Sequence, residues 1–451
     1  MPDHAAAIRR LLARGPQGSR ALQEALSLSQ PTVHRALKVL GEEVVAVGSG
    51  RSVFYLLRDA ASPVPSLPVH RVGPDGRLEA LGELVSVRPA GFVMRDARGG
   101  TQHSEGLPWW LADMRPQGFL GRAFARHHAP ALALPPALND WTDAQVLQAL
   151  VAAGQDVVGN LLLGERARER FLTEPLPPPI ARSARPQAYA RLAAGAVAGE
   201  LPGSSAGGEQ PKFTAWVRTA TGPAHVIVKF SLPEVNPVTA RWRDLLAAEH
   251  LALRALADAG LPAARSDLLD HGAQRFLEVE RFDRVGERGR RALHSLACLD
   301  DEFTGDRAAR WPTAVRALVA ARVVHPDALP VVDRLFAFGV LIGNGDMHMG
   351  NLSFLGDTGR PYTLAPAYDM LPMDFAPTSG GAMRDALAPL RLPADVPLPV
   401  WHAVLPWAEA WYRRLAQGLS DGLISAGFSP CLRAIEGRLV QARDLIGRVA
   451  D

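Results

Sequence analysis

Asp346 stands five residues ahead of Asn351 in the run Gly343-Asn344-Gly345-Asp346-Met347-His348-Met349-Gly350-Asn351, and a second carboxylate, Asp369, follows eighteen residues later. An aspartate and an asparagine at that spacing can divide the work of phosphoryl transfer. The carboxylate takes the proton of an attacking hydroxyl, and the amide oxygen is a hard donor of the kind magnesium prefers. Asp369, in Leu364-Ala365-Pro366-Ala367-Tyr368-Asp369-Met370-Leu371, stands where a further metal-binding carboxylate belongs. In such chemistry the protein positions the nucleophile and neutralises charge on the γ-phosphate. A polar loop that only caps the preceding apolar helix (Leu335–Ile342) is the plainer alternative, but it does not call for Asn, Asp and His packed among three glycines.

Lysine is scarce. Of 49 Lys and Arg residues only Lys38, Lys212 and Lys229 are lysines, leaving 46 arginines. Where a chain drifts so far toward arginine, a surviving lysine points to a site that needs a compact ammonium. Lys229 is central in Val226–Phe230, a short buried-type strand, and Glu249 in the helix Trp242–Leu256 is placed to pair with it. Lys212 closes the Gly/Ser-rich stretch Pro202–Lys212, just ahead of the strand Phe213–Val217, and glycines there let backbone N–H groups approach phosphate oxygens closely. The segment Phe276–Arg284 reads as an apolar strand breaking into alternating charges, between the two sets of residues.

The elements that must position these groups predict an α+β chain. Residues 1–60 give three helices (4–14, Ser19 to about Leu26 with Ser19 as cap, and Thr32–Leu40 behind Pro31), then a hairpin of Glu43–Val47 and Ser52–Leu57 around Gly48-Ser49-Gly50. That is the pattern of a winged helix-turn-helix, a DNA-binding fold. Its candidate DNA contacts are Ser29, Gln30, Thr32, His34, Arg35 and Lys38, with Arg51 on the wing. Eight Arg and Lys against five Asp and Glu in residues 1–60 account for the whole formal charge of +3, so a nucleic-acid partner belongs to this segment. A proline-punctuated linker, Ala61–Pro68, precedes strands at Arg77–Val87 and Gly91–Asp96, a helix at Thr142–Gly154 capped by Asp140 or Thr142, and an irregular stretch at Pro175–Pro186. The predicted division is 1–60, 68–175, 176–310 as a small mixed lobe with its hinge, and 311–451 as a helical lobe.

Taken in order and spacing, Ser205–Lys212, the Lys229 strand, Glu280-Arg281-Phe282-Asp283-Arg284, Asn344–Asn351 and Leu364–Leu371 resemble the HipA family of serine/threonine kinases, and the helix-turn-helix on the same chain resembles its fused, YjjJ-like subgroup. The resemblance runs from about residue 70 to near the C-terminus and implies a bilobal protein-kinase-like fold. It also implies ATP and Mg2+ as cofactors, Asp346 as catalytic base, Asn351 and Asp369 as metal ligands, and Lys229 as the ATP-phosphate contact. Ser205, Ala206, Gly207, Gly208, Glu209, Gln210, Lys212, Glu280, Arg281, Phe282 and His348 complete the implied nucleotide site. Ser205 matches the family's autophosphorylated serine, where a phosphate of about −1.5 to −2 charge would occupy the place of the ATP phosphates and inhibit. The family's His-Gln-Glu-Asp stretch appears here only as His294-Ser295-Leu296-Ala297.

Two other functions share these residues: a small-molecule kinase of the aminoglycoside or choline type, and a DNA-binding regulator whose kinase fold senses nucleotide without transferring phosphate. The Ser205–Lys212 loop and the Glu280–Arg284 segment argue against the first, and the complete set Asp346, Asn351, Asp369 and Lys229 against the second. Cys298 and Cys431 show neither a disulfide framework nor metal-ligand spacing. With no leader pattern and no membrane-length apolar run, the chain reads as cytoplasmic, with DNA and an unnamed protein substrate as partners, a homodimer as an option and no membrane.

Overall fold

In the computed structural model, which describes residues 2–199, 208–357 and 359–450, the chain opens with helices α1 (Pro2–Leu12), α2 (Ser19–Leu26) and α3 (Gln30–Leu40). They pack beside a small antiparallel sheet of β1 (Gln17–Gly18), β2 (Val44–Val47) and β3 (Phe54–Leu57) in the order β1-β3-β2. Ala5, Ile8, Leu12, Leu22, Val33, Leu37 and Leu40 meet in one core, as helical spacing of apolar positions requires. Pro31 lies in the first turn of α3, where a missing N–H leaves no partner wanting. Ser19 is the first residue of α2 rather than its cap. The cap position falls to Gly18, which pairing with Phe54 holds in an extended conformation.

The expected linker ends early. Ser66–Val72 is β4, part of a five-stranded antiparallel sheet with β5 (Leu78–Ser86), β6 (Phe92–Asp96), β7 (Thr101–Ser104) and β8 (Leu161–Leu163), ordered β7-β6-β5-β4-β8. Pro65 and Pro68 hid this strand, because proline lacks a ladder donor. Pro68 is tolerated where only β5 is a neighbour, since β8 pairs no further than Val69–Arg71. Helices α4 (Gly118–His128), α5 (Asp143–Ala153) and α6 (Gly164–Thr173) accompany the sheet. Thr142, not Asp140, caps α5, in a reciprocal box with Gln145.

After α7 (Arg185–Ala198) come β9 (Lys212–Thr219), β10 (Gly222–Phe230), α8 (Pro237–Asp258), β11 (Ser266–His271) and β12 (Gln274–Glu280), the strands forming an antiparallel sheet ordered β11-β12-β10-β9. Asn236 and Thr239 form the capping box of α8, with Pro237 in its first turn. A hairpin of β13 (Arg284–Val285) and β14 (Gly289–Arg290) follows, then β15 (Leu293–Ser295), which pairs with β16 (Ser353–Leu355), itself paired with β17 (Thr363–Leu364).

Helices α9 (Leu296–Phe303), α10 (Trp311–Ala320), α11 (Ala328–Ile342), α12 (Leu398–Ser420) and α13 (Ser429–Ala450) make the later part mainly helical, as expected. Their core, which α8 joins through Leu245, Ala248, Leu251 and Ala252, is built on Trp311, Phe338, Trp401, Trp411 and Phe428. At the end of α11, Gly343 takes a left-handed conformation (φ 82°) that stops the helix and turns the chain into the Asn344–Asn351 loop. Among the described residues, no helix is long and apolar enough to cross a membrane.

Candidate functional site

The β9–β12 sheet, α8 and the loop after α11 enclose a cleft of about 450 Å³, within the range of small-molecule pockets. Antiparallel register sets Lys229 of β10 directly opposite Lys212 of β9, so both side chains lie on one face of the sheet. Both line the cleft while buried, at 6% and 4% exposure. The Lys229 ammonium donates to both carboxylate oxygens of Glu249, at 2.6 and 2.8 Å, and also to Asp369. Two ammoniums and two carboxylates therefore share a buried space. Burial opposes the charge on Lys229, but Asp369 and Glu249 outweigh it and raise its pKa. Burial likewise favours a neutral Asp369, yet Lys229 and Lys212 hold its carboxyl below the usual range. Lys212, facing a second ammonium, is lowered by burial to about 8.

The loop is held by its own polar groups. The Asn344 side chain donates to the Asp369 carbonyl at 3.2 Å and accepts the Asp346 N–H at 3.2 Å, tying the two halves of the motif together. Asn351 donates its amide N–H to the Asp346 carbonyl at 2.9 Å, which leaves its side-chain oxygen as the remaining donor atom for a cation. His348 accepts the Gly350 N–H at 3.0 Å, and the Tyr368 hydroxyl donates to the Gly350 carbonyl at 2.8 Å. Asp369 itself sits at φ 54°, a conformation rarely adopted outside glycine and concentrated at functional sites. Asp346 is solvent-exposed. It lies within electrostatic range of His348 and Asp369, which line the cleft, and partial burial raises its carboxyl pKa.

Glu280 and Phe282 line the cleft at the end of β12. Arg281 lines it too, but its guanidinium donates to Asp283 twice and to Asp156 once, each at 3.0 Å, so it ties the strand end to the Asp156 turn. Gly208 borders the cleft, and its carbonyl accepts the Phe119 N–H at 3.0 Å. Glu209 is exposed and pairs with Arg122 at 2.6 Å, and Gln210 is half-buried; neither lines the cleft. Ser204, Ser205, Ala206 and Gly207 lie outside the described residues.

One grouping was not anticipated. Asp113, His294 and Cys298 bring ligand atoms within 4.8 Å of one another at the cleft wall. The His294–Cys298 spacing was visible in the sequence, whereas Asp113 arrives from a distant segment. The carboxylate of Asp113 accepts both the N–H and hydroxyl of Ser295, each at 2.7 Å, and the Cys298 thiol donates to the Trp109 carbonyl at 3.0 Å. These bonds join the Trp109–Met114 turn to α9.

At the N-terminal end, Gln30, His34, Arg35 and Lys38 are exposed on successive turns of α3, and Val33, Ala36, Leu37 and Leu40 face inward. The Ser29 and Thr32 hydroxyls share a hydrogen bond at 2.9 Å, and Arg35 donates to the Pro31 carbonyl at 3.3 Å. Arg51 falls in the turn between β2 and β3.

Residues 64–172 match the family model described as the middle domain of YjjJ-like toxins, and residues 204–392 match the HipA-like C-terminal domain. The protein described as Toxin YjjJ, from Escherichia coli strain K12, is 37% identical over 441 residues, 97% of this chain and 98% of that one. Among solved structures, a chain in the Shewanella oneidensis MR-1 complex of HipA, HipB and operator DNA aligns with a TM-score of 0.52 at 17% identity, covering 84% of this chain and 99% of that one. At that identity the likeness is one of fold.

Proposed function

The chain belongs to the YjjJ-like toxins of the HipA family, and on that premise we propose that it is an ATP-dependent serine/threonine protein kinase that phosphorylates its own Gly/Ser-rich loop and carries a winged helix-turn-helix for DNA. The observation that supports the kinase reading most is the convergence of Lys229, Glu249 and Asp369 from strand, helix and loop into one buried ion group, with Asn351 on the same cleft.

These residues fit magnesium and ATP. Asp369 and the free amide oxygen of Asn351 are the hard oxygen donors for the metal, and the Lys212 and Lys229 ammoniums face the same space as phosphate contacts. Magnesium-ATP, when bound, supplies the transferable phosphoryl group and the counter-charge for it. The chain supplies the rest. Asp346, exposed at the loop and raised by partial burial, accepts the proton of an incoming serine or threonine hydroxyl. Asn344 fixes the Asp346 backbone relative to Asp369, so base and metal ligand move together. Glu280, Phe282 and the Arg281 backbone form the adenine end, with Arg281's side chain bracing them through Asp156 and Asp283. Ser205 is the proposed autophosphorylation site.

The DNA reading is supported by the exposed face of α3 and the charge of its segment. In the Shewanella complex, HipA is found with HipB and operator DNA; here the DNA-binding part would be on the same chain. The proposed units are 1–60, 68–175, 176–310 and 311–451 as read from sequence, with the second beginning at β4 (Ser66) instead of residue 68. Mass spectrometry of the purified protein after incubation with ATP and magnesium tests the kinase claim, with one phosphate on Ser205 expected. An unmodified protein that phosphorylates a sugar or choline would replace this reading with a small-molecule kinase. No transfer to any acceptor would leave a nucleotide-sensing DNA regulator.

A further inference from the structure

Next to the nucleotide cleft, and sharing Arg281 with it, lies a second cavity of about 340 Å³. It forms where the two family-matched segments meet: α6 and the Gln155–Asp156 turn on one side, and β9, β10 and the β13–β14 hairpin on the other. Its polar wall carries Arg170, Arg281, Arg284, Arg288 and Arg290 against Asp156, Glu174 and Glu287. Asp156 is already shared by Arg281 at 3.0 Å and Arg284 at 3.1 Å, and both of those also hold Asp283. Arg288 donates to the backbone carbonyls of Phe171 and Glu174.

Arg290 is left short. It is 7% exposed, its guanidinium lies over the Phe171 ring at 5.2 Å, and one amino group donates to the Gln155 carbonyl. Its other amino group, Nη1, is fully buried and has no hydrogen-bond acceptor. An unmatched charged donor at such depth is costly, and native structures rarely keep one without a reason. Burial, and after it the facing Arg284, lowers the Arg290 pKa to about 9, the behaviour of a cation lacking counter-charge. The lining also has an apolar and aromatic part, with Trp216 against His225 at 4.4 Å between ring centres, and Pro175, Leu176 and Pro177.

We propose that this cavity binds a small phosphate monoester carrying a planar ring, its phosphate held by the Arg290 guanidinium and its ring lying against Trp216. Two oxygens of a tetrahedral phosphate match the paired N–H donors of a guanidinium fork, and the aromatic lining favours a flat apolar body over a bare anion. Arg281 lines both this cavity and the nucleotide cleft, so an occupant would be felt at the hinge.

Isothermal titration of the full chain without ATP tests this independently of the kinase reading, with phenyl phosphate and inorganic phosphate as probes. Phenyl phosphate is expected to bind the wild type more tightly than inorganic phosphate does. Arg290→Met should weaken both by at least tenfold, whereas Trp216→Ala should abolish the preference for the ring and retain the phosphate. Should Arg290→Met fail to fold, Arg290→Lys, which keeps the charge but not the fork, is expected to weaken both probes by a smaller factor. No binding to the wild type, or equal affinities in wild type and in whichever Arg290 variant folds, would overturn the proposal.

Discussion

Replacing Lys229 by methionine removes one ammonium from the buried group of four charges and leaves Glu249, at 0% exposure, beside Asp369 with only Lys212 nearby. Taking one partner out of a buried ion pair typically costs about 3–5 kcal/mol, because the remaining charge stays desolvated. At about 2–4 °C per kcal/mol for a unit of 150–250 residues, that is a fall of about 6–20 °C in Tm. The double variant Lys229→Met/Glu249→Gln leaves a neutral amide in place of the stranded carboxylate and should recover at least half of the loss. The pH dependence has a definite sign. Burial already holds the Glu249 carboxyl above its ordinary value and Lys229 opposes that rise; without the ammonium it rises further, so its destabilisation is present at neutral pH and is lost as pH falls and the carboxyl takes up a proton. Thermal unfolding followed by circular dichroism at pH 7 and pH 5 measures both effects. A double variant no more stable than the single one, or a deficit unchanged between the two pH values, would refute the ion-group reasoning.

Lys212, held by burial at about 8, lies below its unfolded value of about 10.4, so its charge opposes folding at neutral pH and stability rises as pH climbs between the two. Over the same rise the ammonium that faces phosphate disappears, so ATP affinity should fall with an apparent pKa near 8, and Lys212→Arg should flatten the profile. On α3, Arg35→Ala and Lys38→Ala should each weaken DNA binding and, where the residue meets a phosphate, lower the log–log salt slope by about 0.9; fluorescence anisotropy across a salt series reads both. Gly118 takes φ 60°, and a Cβ there would come within 2.5 Å of the Gly208 carbonyl. Gly118→Ala should push the end of the Gly/Ser-rich loop off α4, seen as faster limited proteolysis around residues 208–210 with the remaining cleavage pattern unchanged.

The parts of the site that could be read in the sequence are those marked by rare residues or local spacing. Asp346 and Asn351 stood out among glycines, Lys229 stood out in a chain of arginines, and Glu249 followed from a helix succeeding its strand. What could not be read depends on contacts distant in sequence. The facing of Lys212 and Lys229 is a matter of strand register, set by the β9–β10 turn and the packing of the sheet. The direct bond from Lys229 to Asp369 spans 140 residues. Arg281 was assigned to the nucleotide by the family resemblance, and Asp156, 125 residues upstream, takes up part of its guanidinium. In the fold, the helices and most strands follow their apolar periodicity. β4 was missed because Pro68 within it and Pro65 just before it look like linker punctuation until the neighbouring strands show which side of the ladder Pro68 spares.

Phosphate transfer from ATP to the protein itself, compared between wild type and Asp346→Asn with nucleotide binding measured on both, tests the kinase claim most directly. Near-equal ATP affinity with transfer reduced by about 10²–10⁴-fold in the variant is predicted, since only the general base is removed. Equal transfer by both proteins would contradict the role given to Asp346.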